Sequence, residues 1–243
     1  MGRTKQISTQ EVDTSMSIQL YNAGVEILAM GYYKNENARS GDYNPGHEDA
    51  IASVLDKHGF EGFTQKDFPK LQRSHLKEWW ESNFTDDTNL KDVLKDLPKG
   101  SYVLQPGGTQ SFPDILVRDF CGRFVALECK SGKGTHPMWN DSTPKPGAAY
   151  IMSSGKLNQT TLFMGEDVIT EQQQKIIDDG LKQLQALAEN ISSQVKALDK
   201  YNRGFILSSR KQFFQQGGKE KTNYFTHVGK EQCEKNVLEF LSA

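Results

Sequence analysis

Two periodicities divide this chain into elements: apolar residues at helical spacing, and short apolar runs bounded by turn residues. Leu20, Gly24, Ile27, Leu28 and Gly31 follow helical spacing and predict a first helix ending near Gly31. Tyr32 to Asn44 is polar and reads as a loop. Pro45 to Asp49 opens a second helix, with Ile51, Val54, Leu55 and His58 on one face and Gly59 at its end. From 60 to 100 the pattern is irregular, with short helices predicted over His75 to Phe84 and Thr88 to Leu97. The paired Trp79 and Trp80 read as packing residues. A strand at Tyr102 to Gln105 leads into two more, Ile115 to Val117 and Phe124 to Leu127, joined by turn residues Asp119 to Gly122. Ala148 to Ser153 and Thr160 to Met164 extend the buried sheet.

Glu171 to Lys200 is the longest predicted helix. Its residues Ile177, Leu181, Leu184, Ala188, Ile191, Val195 and Leu198 step by four and three alternately, a heptad-like stripe. Packing across the sheet is the default expectation, because a mixed domain must cover its sheet. The same helix of a second subunit is the alternative partner. Phe205 to Ser208 and Asn223 to Val228 read as further strands, and Glu231 to Leu241 as a final helix.

The polar residues of the central hairpin stand at fixed places. Asp114 starts its first strand, and Glu128 and Lys130 end its second. Residues i and i+2 of a strand share a face, so Glu128 and Lys130 project together and Cys129 points the other way. Antiparallel pairing brings the start of one strand beside the end of the other, which delivers Asp114 to the same rim. Two close carboxylates repel unless a cation lies between them, and a hard divalent ion with oxygen ligands suits the gap. Such an ion makes its bound water more acidic. An adjacent lysine orients or deprotonates that water, or stabilises charge building on a phosphate.

Pro113 and Asp114, then thirteen residues, then Glu128, Cys129 and Lys130 resemble the PD-(D/E)xK nuclease superfamily. The run Gln105 to Phe112 before the motif, and Ser131, Gly132 and Lys133 after it, resemble type II restriction endonucleases of that superfamily. The resemblance spans roughly residues 46 to 165, and its specific part residues 105 to 146. It implies an α/β fold, with a central mixed β-sheet flanked by helices as in restriction endonucleases. It also implies Mg2+-dependent, sequence-specific hydrolysis of double-stranded DNA, with Asp114 and Glu128 as metal ligands and Lys130 beside the attacking water. Many members carry a further glutamate on a helix before the core strands, and Glu48 matches that position. The plainer reading of Glu48 and Asp49 is that acidic residues favour a helix N-terminus.

The segment 131 to 147 holds three prolines and three glycines and should emerge as a loop beside this rim. Loops on a rigid scaffold are where recognition concentrates. Lys133, His136, Trp139, Asn140 and Lys145 on it, with Gln110 upstream, are candidate DNA contacts. A second basic, glutamine-rich stretch begins after Ser209, with Arg210 and Lys211 as candidate phosphate contacts.

The 243 residues, 36% hydrophobic and 25% charged, suit a single domain: a helical arm to residue 45, a catalytic core to 165, and a helix with strands beyond. A net charge of −2 requires any DNA-binding surface to be a basic face rather than the whole molecule. No run is apolar enough to span a bilayer, and no apolar signal region follows the first residues. Three cysteines without ligand spacing fit a reducing cytoplasm. The chain has no phosphate-binding glycine loop, so no nucleotide cofactor is expected. Double-strand cleavage at a defined place favours a homodimer reading a palindrome. A structure-selective repair nuclease and a catalytically silent DNA-binding module are the alternative readings.

Overall fold

Alternation along the central hairpin sends its side chains into two different cores. In the computed structural model, which describes residues 18–33, 45–108, 111–140, 143–208, 212–213, 215 and 222–243, the strands are short and the helices lie on both sides of them. Strands occupy Glu61–Thr64 (β1), Ser101–Leu104 (β2), Ile115–Arg118 (β3), Phe124–Gly132 (β4), Trp139–Asn140 (β5), Ala149–Ser154 (β6), Gln159–Met164 (β7) and Gln212–Phe213 (β8). Helices occupy Ile18–Leu28 (α1), Pro45–Lys57 (α2), Arg73–Glu81 (α3), Thr88–Val93 (α4), Gly165–Val168 (α5), Glu171–Ala197 (α6) and Lys230–Ser242 (α7). Six strands form one open mixed sheet in the order β1-β2-β3-β4-β6-β7, while β5 and β8 pair separately. β1 runs parallel to β2 and β4 parallel to β6, and the other neighbours are antiparallel.

Ile115, Val117, Val125 and Leu127 face a layer built from α1, α2 and α7, where they meet Leu20, Ile27, Ile51, Leu55 and Leu241. Leu116 and Ala126 face the opposite layer, with Leu76 and Trp79 of α3 and Leu90 of α4. The hairpin turn is locked to the first layer. Asp119 is buried, and its carboxylate accepts hydrogen bonds from Arg123 N at 2.8 Å and Arg123 Nε at 3.0 Å. Arg123 Nη1 in turn donates to the Phe240 carbonyl of α7 at 2.8 Å. Gly122 takes φ +94°, which only glycine adopts without strain.

Several elements depart from the sequence expectations. β1 was not expected; it is four residues long, largely exposed and on the sheet edge, so it lacks a readable apolar pattern. The 131–147 segment is less loop-like than its prolines suggest: β4 continues to Gly132, and Trp139 pairs with Phe213 in the β5–β8 ribbon. The first helix is no peripheral arm, since Leu20, Ala23 and Ile27 belong to the core. Asn223 to Val228 is not a strand but a series of turns that inserts Tyr224 and Phe225 into the second layer.

The largest difference is α6. It runs 27 residues from a Thr170 cap, and none of its residues is buried. The expected packing across the sheet does not occur, because the helices on either side already cover both faces. Leu184, Leu187 and Leu198 are 55%, 54% and 85% exposed. Phe205 to Ser208 is not a strand either; it runs alongside α6, where Leu207 N donates to Ser192 Oγ at 3.0 Å. Residues 1–17 and most of the basic stretch after Ser209 lie outside the described residues.

Trp79 is 2% exposed and makes edge contacts with Phe84 and Phe124. Trp79→Ala should therefore lower unfolding free energy by about 3–5 kcal/mol in urea denaturation. Leu187→Ala, on the uncovered helix, should stay within about 0.5 kcal/mol at low protein concentration. A large loss at Leu187 under those conditions would mean that α6 packs on its own domain.

Candidate metal and catalytic site

The register of the hairpin positions the site. Ile115 lies opposite Leu127, so Asp114 falls opposite Glu128 just beyond the last paired residues. Asp114 Oδ2 accepts from Cys129 N at 2.8 Å, and Asp114 N donates to Glu128 Oε2 at 3.2 Å. Lys130 Nζ donates to Glu128 Oε1 at 2.7 Å. Asp114, Glu128 and Lys130 thus converge as the alternation predicts, and Cys129 turns away into the α1-α2-α7 layer.

The neighbouring strands add two groups that the sequence reading did not place here. On β2, Leu104 pairs with Ile115, which sets Gln105 at the same rim; its backbone N–H donates to the Asp114 carbonyl at 2.7 Å. Its side chain reaches Glu48, donating Nε2 to Oε2 at 3.1 Å. On β6, Tyr150 pairs with Glu128 across the parallel ladder. Its hydroxyl accepts from Lys145 N at 2.7 Å. Strand register is the signal for both, and it is readable only once the pairing order is known. Glu48 itself stands in the first turn of α2, buried, and close enough to Asp114 to perturb it.

The electrostatics follow from crowding at the edge of a low-dielectric sheet. Burial, then the charges of Glu128 and Glu48, push the Asp114 carboxyl up to about 8. Burial works to lower the Lys130 ammonium, but Glu128 and Asp114 outweigh it and hold its pKa above the ordinary value. Lys130 is therefore a cation and a hydrogen-bond donor near neutrality, not a base. Burial, with Glu128 nearby, likewise drives the Tyr150 hydroxyl upward and keeps it neutral.

Among the described residues, no group of three or more His, Cys, Asp and Glu side chains is arranged to hold a metal. Mg2+ does not require one, because it is commonly held by one or two carboxylates, with water and substrate phosphate completing its shell. The donor set here is all oxygen, and the Asp114 carboxyl is raised first by burial and then by the charges of Glu128 and Glu48. Asp114 and Glu128 therefore fit a hard divalent cation, with Glu48 on the same side.

The candidate DNA contacts fall into three groups. Lys133 and His136 are exposed beyond the end of β4. Trp139 is 4% exposed, edge-on to Tyr150, with Lys130 Nζ 5.6 Å from its ring centre. Lys145 is half-buried with Nζ 4.0 Å above the Trp80 ring. Its loop is held by Gly165, where a Cβ would stand 1.9 Å from the Lys145 carbonyl oxygen. Asn140 contributes a backbone pairing with Gln212. Gln110, Arg210 and Lys211 lie outside the described residues. Among the described residues, no helix is long and apolar enough to cross a membrane. Comparisons with protein-family models, with curated proteins and with solved structures found no match to this chain.

The carboxyl shift carries a pH dependence. Asp114 binds its proton more tightly folded than unfolded. Its contribution to stability is therefore full below about pH 4 and is lost as pH rises toward about 8. Asp114→Asn removes that titration. In metal-free thermal melts, the variant should gain melting temperature relative to the native protein between pH 5 and pH 8 (roughly the interval in which the buried carboxyl must ionise). Parallel melting curves for the two proteins across that range would show that Asp114 carries no such burden.

Proposed function

We propose that this chain is a Mg2+-dependent endonuclease of double-stranded DNA, with the sheet architecture and role of a type II restriction endonuclease. The observation that carries this reading is the convergence of Asp114, Glu128 and Lys130 at one buried strand edge. An arrangement of solvated surface charges would not crowd two carboxylates so closely against an ammonium. When bound, Mg2+ supplies Lewis-acid activation of water and neutralises charge on the phosphate. The chain's own groups do the rest. Asp114 and Glu128 would hold the cation, each oriented by a backbone amide across the hairpin. Lys130, kept protonated, would donate hydrogen bonds to the oxygen of the attacking water and to the phosphoryl oxygens; as the P–O bond to water forms the water's proton passes to solvent, and as the P–O bond to the sugar breaks the leaving oxygen takes a proton from solvent. Glu48, tied to Gln105, adds negative charge on the α2 side of the site. Lys133, exposed beyond the end of β4, is the cation assigned to a DNA phosphate.

Asp114→Ala, Glu128→Ala and Lys130→Ala should each slow plasmid cleavage by about 10²–10⁴-fold under single-turnover conditions. Circular dichroism should show the fold retained. Ca2+, less strict in geometry, should support DNA binding without cutting. Discrete fragments indicate a restriction enzyme, preference for branched DNA a repair enzyme, and tight binding without cleavage a binding module. A normal rate for Lys130→Ala removes the site assignment.

We also propose that the working unit is a homodimer. One site cuts one strand at a time, so a symmetric pair is the simplest way to break both. The uncovered α6, with its heptad-like stripe and its exposed Leu184, Ile191 and Leu198, offers a second copy the surface. Sedimentation of the protein should show a dimer, and Leu184→Glu with Leu198→Glu should shift it to monomer. A wild-type monomer on its DNA site, releasing a nicked intermediate before the second cut, rules the dimer out.

A further inference from the structure

The apolar surface of α6 runs the length of the helix, and its two ends differ in shape. At 3.6 residues per turn, Ile176, Leu184, Leu187, Ile191 and Leu198 fall within about a quarter-turn of one another, and all five are exposed. At its N-terminal end this stripe runs into a cavity of about 470 Å³, lined by Val168, Ile169, Ile176, Ile177 and Phe213 among others. At its C-terminal end the stripe closes on Leu198, 85% exposed, with Tyr201 and Phe205 exposed just beyond. One helix face thus carries an apolar hollow at one end and an apolar protrusion at the other.

The two features are equally spaced from the middle of the stripe. Ile176 lies eleven residues before Leu187 and Leu198 eleven residues after it, about 16 Å in each direction at 1.5 Å per residue. A two-fold axis at Leu187, perpendicular to the helix, therefore brings the protrusion of each copy to the hollow of the other. That is the self-complementarity an isologous interface requires. A parallel pair would set hollow against hollow and Leu198 against Leu198, leaving both cavities unfilled.

Charge selects the same polarity. Residues 171–182 carry Glu171, Asp178 and Asp179 against Lys175 and Lys182. Residues 196–203 carry Lys196, Lys200 and Arg203 against Asp199. An antiparallel pair places the acidic end of each helix beside the basic end of the other and opposes the two helix dipoles, whereas a parallel pair aligns like with like.

We propose that α6 pairs antiparallel with its copy about Leu187, and that the partner's Leu198 enters the cavity beside the candidate site. This rests on the homodimer reading and adds to it a polarity and a reciprocal contact. Thr143 and Pro144, which lead into Lys145, also line the cavity, so each subunit's helix tip supports the other's loop at the candidate site.

Disulfide capture in the full chain tests the polarity, with Cys121→Ser removing the exposed native thiol. Ile176 and Leu198 are 73% and 85% exposed, so cysteine at either position should leave the fold intact, which circular dichroism checks. A disulfide needs Cα atoms within about 7 Å. In the antiparallel pair, position 176 of one chain meets position 198 of the other, while like positions are about 33 Å apart. Mild oxidation should therefore convert most of the Ile176→Cys, Leu198→Cys double variant to covalent dimer and leave each single variant uncrosslinked. Single variants that crosslink as fully as the double variant mean a parallel pair and overturn the proposal. So does a double variant that stays uncrosslinked while sedimentation shows a dimer; in both cases the homodimer reading survives. A native chain that sediments as a monomer removes the homodimer reading and this contact with it. Plasmid cleavage by the same preparations with Mg2+ reports separately on the nuclease reading.

Discussion

The pairing register of β3 against β4 is the constraint on which the rest of the molecule depends. With Ile115 opposite Leu127, Asp114 reaches the amide of Cys129 and the carboxylate of Glu128. Side chains alternate with a period of two, so a slip of one residue would turn Glu128 and Lys130 into the α1-α2-α7 core and expose Val125 and Leu127 to the other layer. Driving the Glu128 and Lys130 charges into an apolar core makes that slip costly. The buried bond network of Asp119 and Arg123 at the turn holds the same register from the far end. Fold and chemistry are thus specified by one set of contacts.

That arrangement places charge where the surrounding sheet least favours it. Asp114 is the group that bears the cost, since the Lys130 ammonium sits on Glu128 rather than on it.

The hairpin and its three charged residues were legible from sequence because they depend on local facts: two short apolar runs, a turn between them, and polar residues at the correct ends. The last strands of the sheet, β6 and β7, were legible for the same reason. Gln105 and Tyr150 were not, because they join the site through pairing between strands distant in sequence. β1 was missed because Glu61, Gly62 and Thr64 carry no apolar signal. Phe205 to Leu207 and Tyr224 to Phe225 were misread in opposite ways: similar apolar clusters, the first left exposed along α6, the second plugged into a core by turns. Hydrophobicity marks what can be buried, not which surface is left to bury it. The same limit explains α6, whose helical period was plain and whose partner was not.

The Arg123 link to Phe240 has an implication for the order in which the molecule is made. The layer covering one face of the hairpin draws on α1 and α2, among the first of its helices to be synthesised, and on α7, which follows all of them. Arg123 and Phe240 are 117 residues apart, so the hairpin emerges during translation well before the helix to which its turn is tied. Val125, Leu127 and Ile151 lie in the same buried cluster as Val237 and Leu241, so that cluster is complete only once α7 has been made.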